Sequence, residues 1–178
     1  AAGAIFAFVV YRYGLSTASL TVTAYASVLI VIFLIDLERQ LILNAITYPS
    51  IVVALLVTPW GPLGAGVSAR LAYQDALLGF LLGGGVLLLV FVIARGGFGA
   101  GDVKLGALLG IMLGFVPTLT TMEMSFIAGG LVAILLILLK IRRRKDQVPF
   151  GPFLAGAGII SLFWGQGISN WYQNLLGL

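Results

Sequence analysis

No charged side chain occurs between Arg12 and Asp36, between Arg39 and Arg70, between Asp75 and Arg95, between Lys104 and Glu123, or after Asp146. A chain that rarely interrupts its apolar runs must bury them in something larger than its own core. Only 9% of the 178 residues are charged and 61% are hydrophobic, where a soluble domain needs about a quarter charged. With a mean hydropathy of +1.14, the solvent for most of this surface is lipid. Lipid leaves no partner for an unpaired backbone group, so the alternatives are helices or a closed barrel. Runs such as Tyr25–Ile35 and Gly79–Ala94 lack the alternation of barrel strands. The expected fold class is therefore all-α, a polytopic membrane bundle without a soluble domain.

Cutting the runs at charges and Pro/Gly clusters predicts about seven spans: a short first up to Tyr13, which a clipped start would explain, then Thr17–Asp36, Ala45–Pro59, Asp75–Ala94, Val103–Phe115, Ser125–Leu139 and Phe153–Asn170. The chain opens Ala1-Ala2 without methionine and is expected to lack an N-terminal region. Alternating sides place Arg12 and Arg70 on one face. Arg39, Arg95, Lys104, Lys140, Arg142, Arg143, Arg144 and Lys145 fall on the other, which the positive-inside bias makes cytoplasmic. The net charge of +4 is read as this topology signal, compatible with contact to anionic lipid, and not as a nucleic-acid patch. The fifth helix, at roughly 20 Å, is shorter than a hydrocarbon core of about 30 Å, so Asp102 at its start is expected near water. Gly106, Gly110 and Gly114 on that helix, and Gly79 and Gly83 on the fourth, read as close-packing faces.

Without cysteine or histidine, thiol and imidazole chemistry are excluded and no zinc site is expected. Proton transfer falls to carboxylates, lysine, tyrosine or water. Of six acids, Asp75 and Glu123 are expected to cap their own helix starts on the outer face, and Asp146 to neutralise the basic run beside it. Asp36 ends an apolar run at the lipid boundary, where ionisable groups mark function or pairing; a structural residue satisfied by Arg39 or water accounts for it equally well. Glu38, about 200° around the helix, cannot share its face. Asp102 closes the glycine loop 96–101. An N-cap explains it sufficiently, and phosphate-loop patterns do not fit. Gly99 and Gly101, however, allow another backbone to approach closely.

Two carboxylates brought together titrate as a unit, one protonated while the other is ionised. The ionised one can take a proton from water and the other can polarise a scissile carbonyl. This is aspartic-peptidase chemistry, and it needs no metal or cofactor.

Gly99-Ala100-Gly101-Asp102 resembles the GxGD signature of polytopic aspartic peptidases, and Gly97 to Leu105 resembles the type IV prepilin peptidases. Asp36 to Pro49 is similar to that family's first aspartate segment, and Pro149-Phe150-Gly151-Pro152-Phe153 to its loop before the last span. Three ordered motifs thus cover nearly the whole chain. The resemblance implies one transmembrane peptidase domain over 1–178 with Asp36 and Asp102 as catalytic pair, Gly99, Gly101 and Lys104 in the active-site loop, and Pro149, Gly151 and Pro152 in a substrate loop. It implies cleavage after the basic leader of prepilins or pseudopilins at the cytoplasmic face of a bacterial inner membrane. It makes Lys104 a candidate for biasing the charge of the pair, so that its replacement shifts the pH optimum. Many bacterial members also methylate the new N-terminus, so S-adenosylmethionine is expected only where a methyltransferase region is present. Their additional first span and their CxxC zinc domain have no counterpart in residues 1–178, and Leu43 stands where the family usually has proline, which implies a less rigid loop. Preflagellin-like substrates, a transporter using buried acids, or a non-catalytic secretion subunit are the alternatives.

Overall fold

The computed structural model describes residues 2–93, 99–140 and 149–176. Among the described residues seven α-helices lie where the seven spans are expected: α1 (Ala2–Tyr13), α2 (Thr17–Arg39), α3 (Asn44–Val57), α4 (Ala69–Ile93), α5 (Ala100–Leu113), α6 (Phe115–Leu138) and α7 (Gly151–Leu176). Four segments are long and apolar enough to cross a membrane by length and composition: Thr17–Arg39, Asn44–Gly64, Ala69–Ile93 and Phe115–Leu138. Their outward faces are apolar. Leu77, Leu81, Leu88 and Val92 of α4 and Ile127, Leu131, Ile134 and Leu138 of α6 are all exposed. Stripes this long would aggregate in water, and they suit hydrocarbon.

The short helix α5 is the centre. Every residue from Leu105 to Gly114 is buried, and α3, α4, α6 and α7 all pack against it. A helix sheathed by others has no need to match the bilayer, which explains its shortness. In lipid, helix association relies on close packing more than on apolar burial, and α4 and α5 show how: Gly79 and Gly83 lie against the backbone carbonyls of Gly110 and Gly106, and Gly110 and Gly106 against those of Gly79 and Gly83. A Cβ at any of the four would overlap backbone or press on it.

Two helix starts differ from expectation. Helix α4 begins at Ala69, so Asp75 lies inside it, and α6 begins at Phe115, so Glu123 lies inside that helix. Asp75 still caps, but in another element: its Oδ1 accepts the Phe115 amide at 2.9 Å. That bond closes the tight α5–α6 turn, where Gly114 adopts φ +78 and the space a Cβ would need is taken by the Asp75 carboxylate. Ser16 caps α2, with Ser16 and Ser19 exchanging amide-to-hydroxyl bonds of 3.1 and 3.2 Å. At the other end of α2, Gln40 turns left-handed (φ 53) and its amide donates to the Asp36 carbonyl. Arg95, the loop 96–98, Arg142, Arg143, Arg144, Lys145 and Asp146 lie outside the described residues.

Candidate active site

Asp36 sits in the last turn of α2 and Asp102 in the first turn of α5. Both are buried, at 4% and 7% exposure. Gly99, not Asp102, occupies the N-cap position of α5. Asp102 stands three residues on and reaches back, its Oδ2 accepting the Gly99 amide at 3.2 Å. A Cβ at Gly99 would stand 3.1 Å from that same oxygen, so glycine suits the close return of the carboxylate. Asp102 lies within electrostatic reach of Asp36, and among the described residues no cation faces either group. Two buried acids without a counter-charge are costly unless a proton is shared or a ligand arrives. Glu38 and Arg39 are exposed outside this cluster.

Helix α7 completes the cluster. Its first residue, Gly151, lies directly on the Asp36 carboxylate, where a Cβ would overlap Oδ2. The preceding Phe150 stacks on Phe126 of α6 with ring centroids 5.1 Å apart, and both Phe150 and Phe153 pack beside Gly129. Of the sequence-predicted loop, Gly151 therefore reaches an aspartate, while Phe150 and Phe153 anchor the segment to α6.

Lys104 is engaged elsewhere. Its Nζ donates to Asn44 Oδ1 at 2.8 Å and stands 5.3 Å from the centre of the Tyr48 ring, tying the start of α5 to the start of α3. Sequence reasoning missed Ile42. It is the one buried residue of the connection 40–43. A Cβ at Gly101 would stand 2.9 Å from the Ile42 Cβ, and one at Gly151 would stand 3.1 Å from the Ile42 Cδ1. Leu41, Ile42 and Leu43 are all apolar, so no sequence signal singles out the middle one. A cavity of about 380 Å³, bordered by Val22, Leu63, Met112, Pro117 and Leu162, lies at the opposite end of the bundle and contains neither acid.

A family model described as the type IV leader peptidase family matches residues 23–137. Similar proteins include three named prepilin leader peptidase/N-methyltransferase. That of Aeromonas hydrophila is 37% identical over 82% of this chain and 49% of its own length. That of Aeromonas salmonicida (strain A449) is 35% identical over 84% and 50%, and that of Pseudomonas putida is 34% identical over 95% and 58%. The chain spans about half the length of these curated relatives. No solved structure matches it significantly. With the family match covering both aspartate segments and the helices between them, the chain belongs to the type IV leader peptidase family.

Proposed function

We propose that this chain is a membrane-embedded aspartic endopeptidase that removes the basic leader from type IV prepilins or pseudopilins, with Asp36 and Asp102 as its catalytic pair. The observation that carries this reading is the convergence of two buried carboxylates from separate helices at one end of the bundle, without an ion pair among the described residues. In the reaction, the ionised carboxylate takes a proton from water while the protonated one donates to the scissile carbonyl oxygen. The water oxygen bonds to the carbonyl carbon. Collapse of the tetrahedral intermediate breaks the C–N bond, and the leaving amine takes up a proton from the pair. Mutual repulsion makes double ionisation of such a pair costly, so one proton stays with the two carboxylates while the other can be exchanged.

The charge bias supports a cytoplasmic orientation of this end, and the family supports a bacterial inner membrane, where a leader still attached to its prepilin would be accessible. A cleavage assay in H2(18)O with a prepilin leader peptide tests the reading. It predicts one cut after the basic leader and label in the new carboxylate. A cut elsewhere, or the absence of cleavage, would sink it. The relatives' name also includes N-methyl transfer, and that part of their activity is assigned to no residue here.

A further inference from the structure

The two aspartates are carried by helices that make no extensive contact with each other. Helix α2 packs on α1, α7 and, more lightly, α3, while α5 packs on α3, α4, α6 and α7. Their relative position must come from intermediaries, and two of these reach the aspartates themselves. One is α7, which touches both helices and brings Gly151 onto Asp36. The other is the connection 40–43, which leaves α2 four residues after Asp36 and is drawn toward α5 by the Lys104–Asn44 hydrogen bond. Ile42 is where the intermediaries meet, in contact with Gly101 beside Asp102 and with Gly151 beside Asp36. Each glycine lacks the one carbon that would push Ile42 away.

We propose that Ile42 is a positioning residue: wedged between Gly101 and Gly151, its side chain sets the separation of Asp36 and Asp102. This rests on the reading of the two aspartates as the catalytic pair. A wedge acts on the distance between carboxylates, so its removal changes how strongly they titrate together. Without it the carboxylates come closer, so coupling strengthens, the two macroscopic ionisations move apart and the bell-shaped pH–rate profile broadens. Among the described residues, the other charged or titratable groups on the elements around the pair are Glu38 and Arg39, exposed on α2, Lys104 on α5, held by Asn44, and Tyr48 on α3. Residues 149–154 at the start of α7 carry none.

The test is cleavage of a prepilin leader peptide across pH by the detergent-solubilised chain. Wild type is compared with Ile42→Val, Ile42→Ala and Gly101→Ala, with folding followed by thermal unfolding. The inference expects kcat to fall from isoleucine through valine to alanine, by about 10²-fold for alanine, as a small displacement of reacting groups costs. KM should stay within about twofold, and the pH profile should broaden. Gly101→Ala should lower kcat as well, because its added carbon would stand 2.9 Å from the Ile42 Cβ. A folded Ile42→Ala with wild-type kcat and profile width overturns the inference. So does a loss of kcat without broadening, which is what a merely structural residue would give. If Ile42→Ala does not fold, Ile42→Val decides by the same two readouts. Asp36→Asn and Asp102→Asn run in parallel: wild-type cleavage by either refutes the catalytic pair itself, whereas their inactivity beside an indifferent Ile42 refutes only the wedge.

Discussion

Gly151, the first residue of α7, lies against the Asp36 carboxylate with no space between them for even a methyl group. Any side chain at 151 must displace the acid, the helix start, or both. Gly151→Ala is therefore expected to lower cleavage by about 10²-fold and to destabilise the fold by about 1–3 kcal/mol through overpacking. Peptide cleavage read beside thermal unfolding checks both. Undiminished activity would show that Asp36 is free to move.

The Leu43 backbone already has a proline-compatible shape, with φ -72 and ψ 122, and its amide makes no hydrogen bond among the described residues. Its carbonyl accepts the Thr47 amide and hydroxyl, each at 3.0 Å, and a proline there would keep both bonds. Leu43→Pro is expected to stabilise the chain by about 0.4–1 kcal/mol through the unfolded state, with cleavage retained. Thermal unfolding decides it, and a lower midpoint would mean that the turn is held by the leucine side chain.

Asp75 caps α6 from α4. Asp75→Ala should cost about 0.5–2 kcal/mol, and Asp75→Asn much less, because an amide oxygen can still accept the Phe115 amide. Equal losses for the two would point to charge instead of the cap.

The α4–α5 seam makes a paired prediction. Gly110→Ala places a carbon on the Gly79 carbonyl, whereas Gly85→Ala on α4 meets nothing within 4 Å. The first should destabilise by about 3 kcal/mol or more. The second should be neutral, or stabilising by up to about 1 kcal/mol, since alanine is the better helix former. The contrast is read from the two unfolding midpoints, and similar midpoints would contradict the seam.

The helices were legible because lipid demands apolar runs, and the runs stand between the charges. What was lost were starts that carry polar residues. Helix α4 opens with Arg70, Gln74 and Asp75, which look like loop to a hydropathy cut. Helix α6 opens with Pro117, Thr118, Thr120 and Thr121. There Thr120 and Thr121 turn back on their own helix, donating to the Val116 and Pro117 carbonyls at 3.3 and 2.8 Å, so these two polar residues are satisfied inside the bundle. Asp36 and Asp102 were legible as candidates because a chain with so few acids makes each one conspicuous. Lys104 was legible as a residue near the site but not by its partners, since Asn44 and Tyr48 sit on another helix. Ile42 was hidden for the same reason. Its importance lies in the two glycines it touches across space, and no local pattern encodes that.

The central claim is that Asp36 and Asp102 act as one catalytic pair, and single asparagine variants test it most directly. Asparagine preserves shape and hydrogen bonding but cannot carry the exchanged proton. With each variant shown to be folded, the rate of prepilin leader cleavage is predicted to drop by at least about 10²-fold for Asp36→Asn and for Asp102→Asn alike. A wild-type rate from either one would contradict the account.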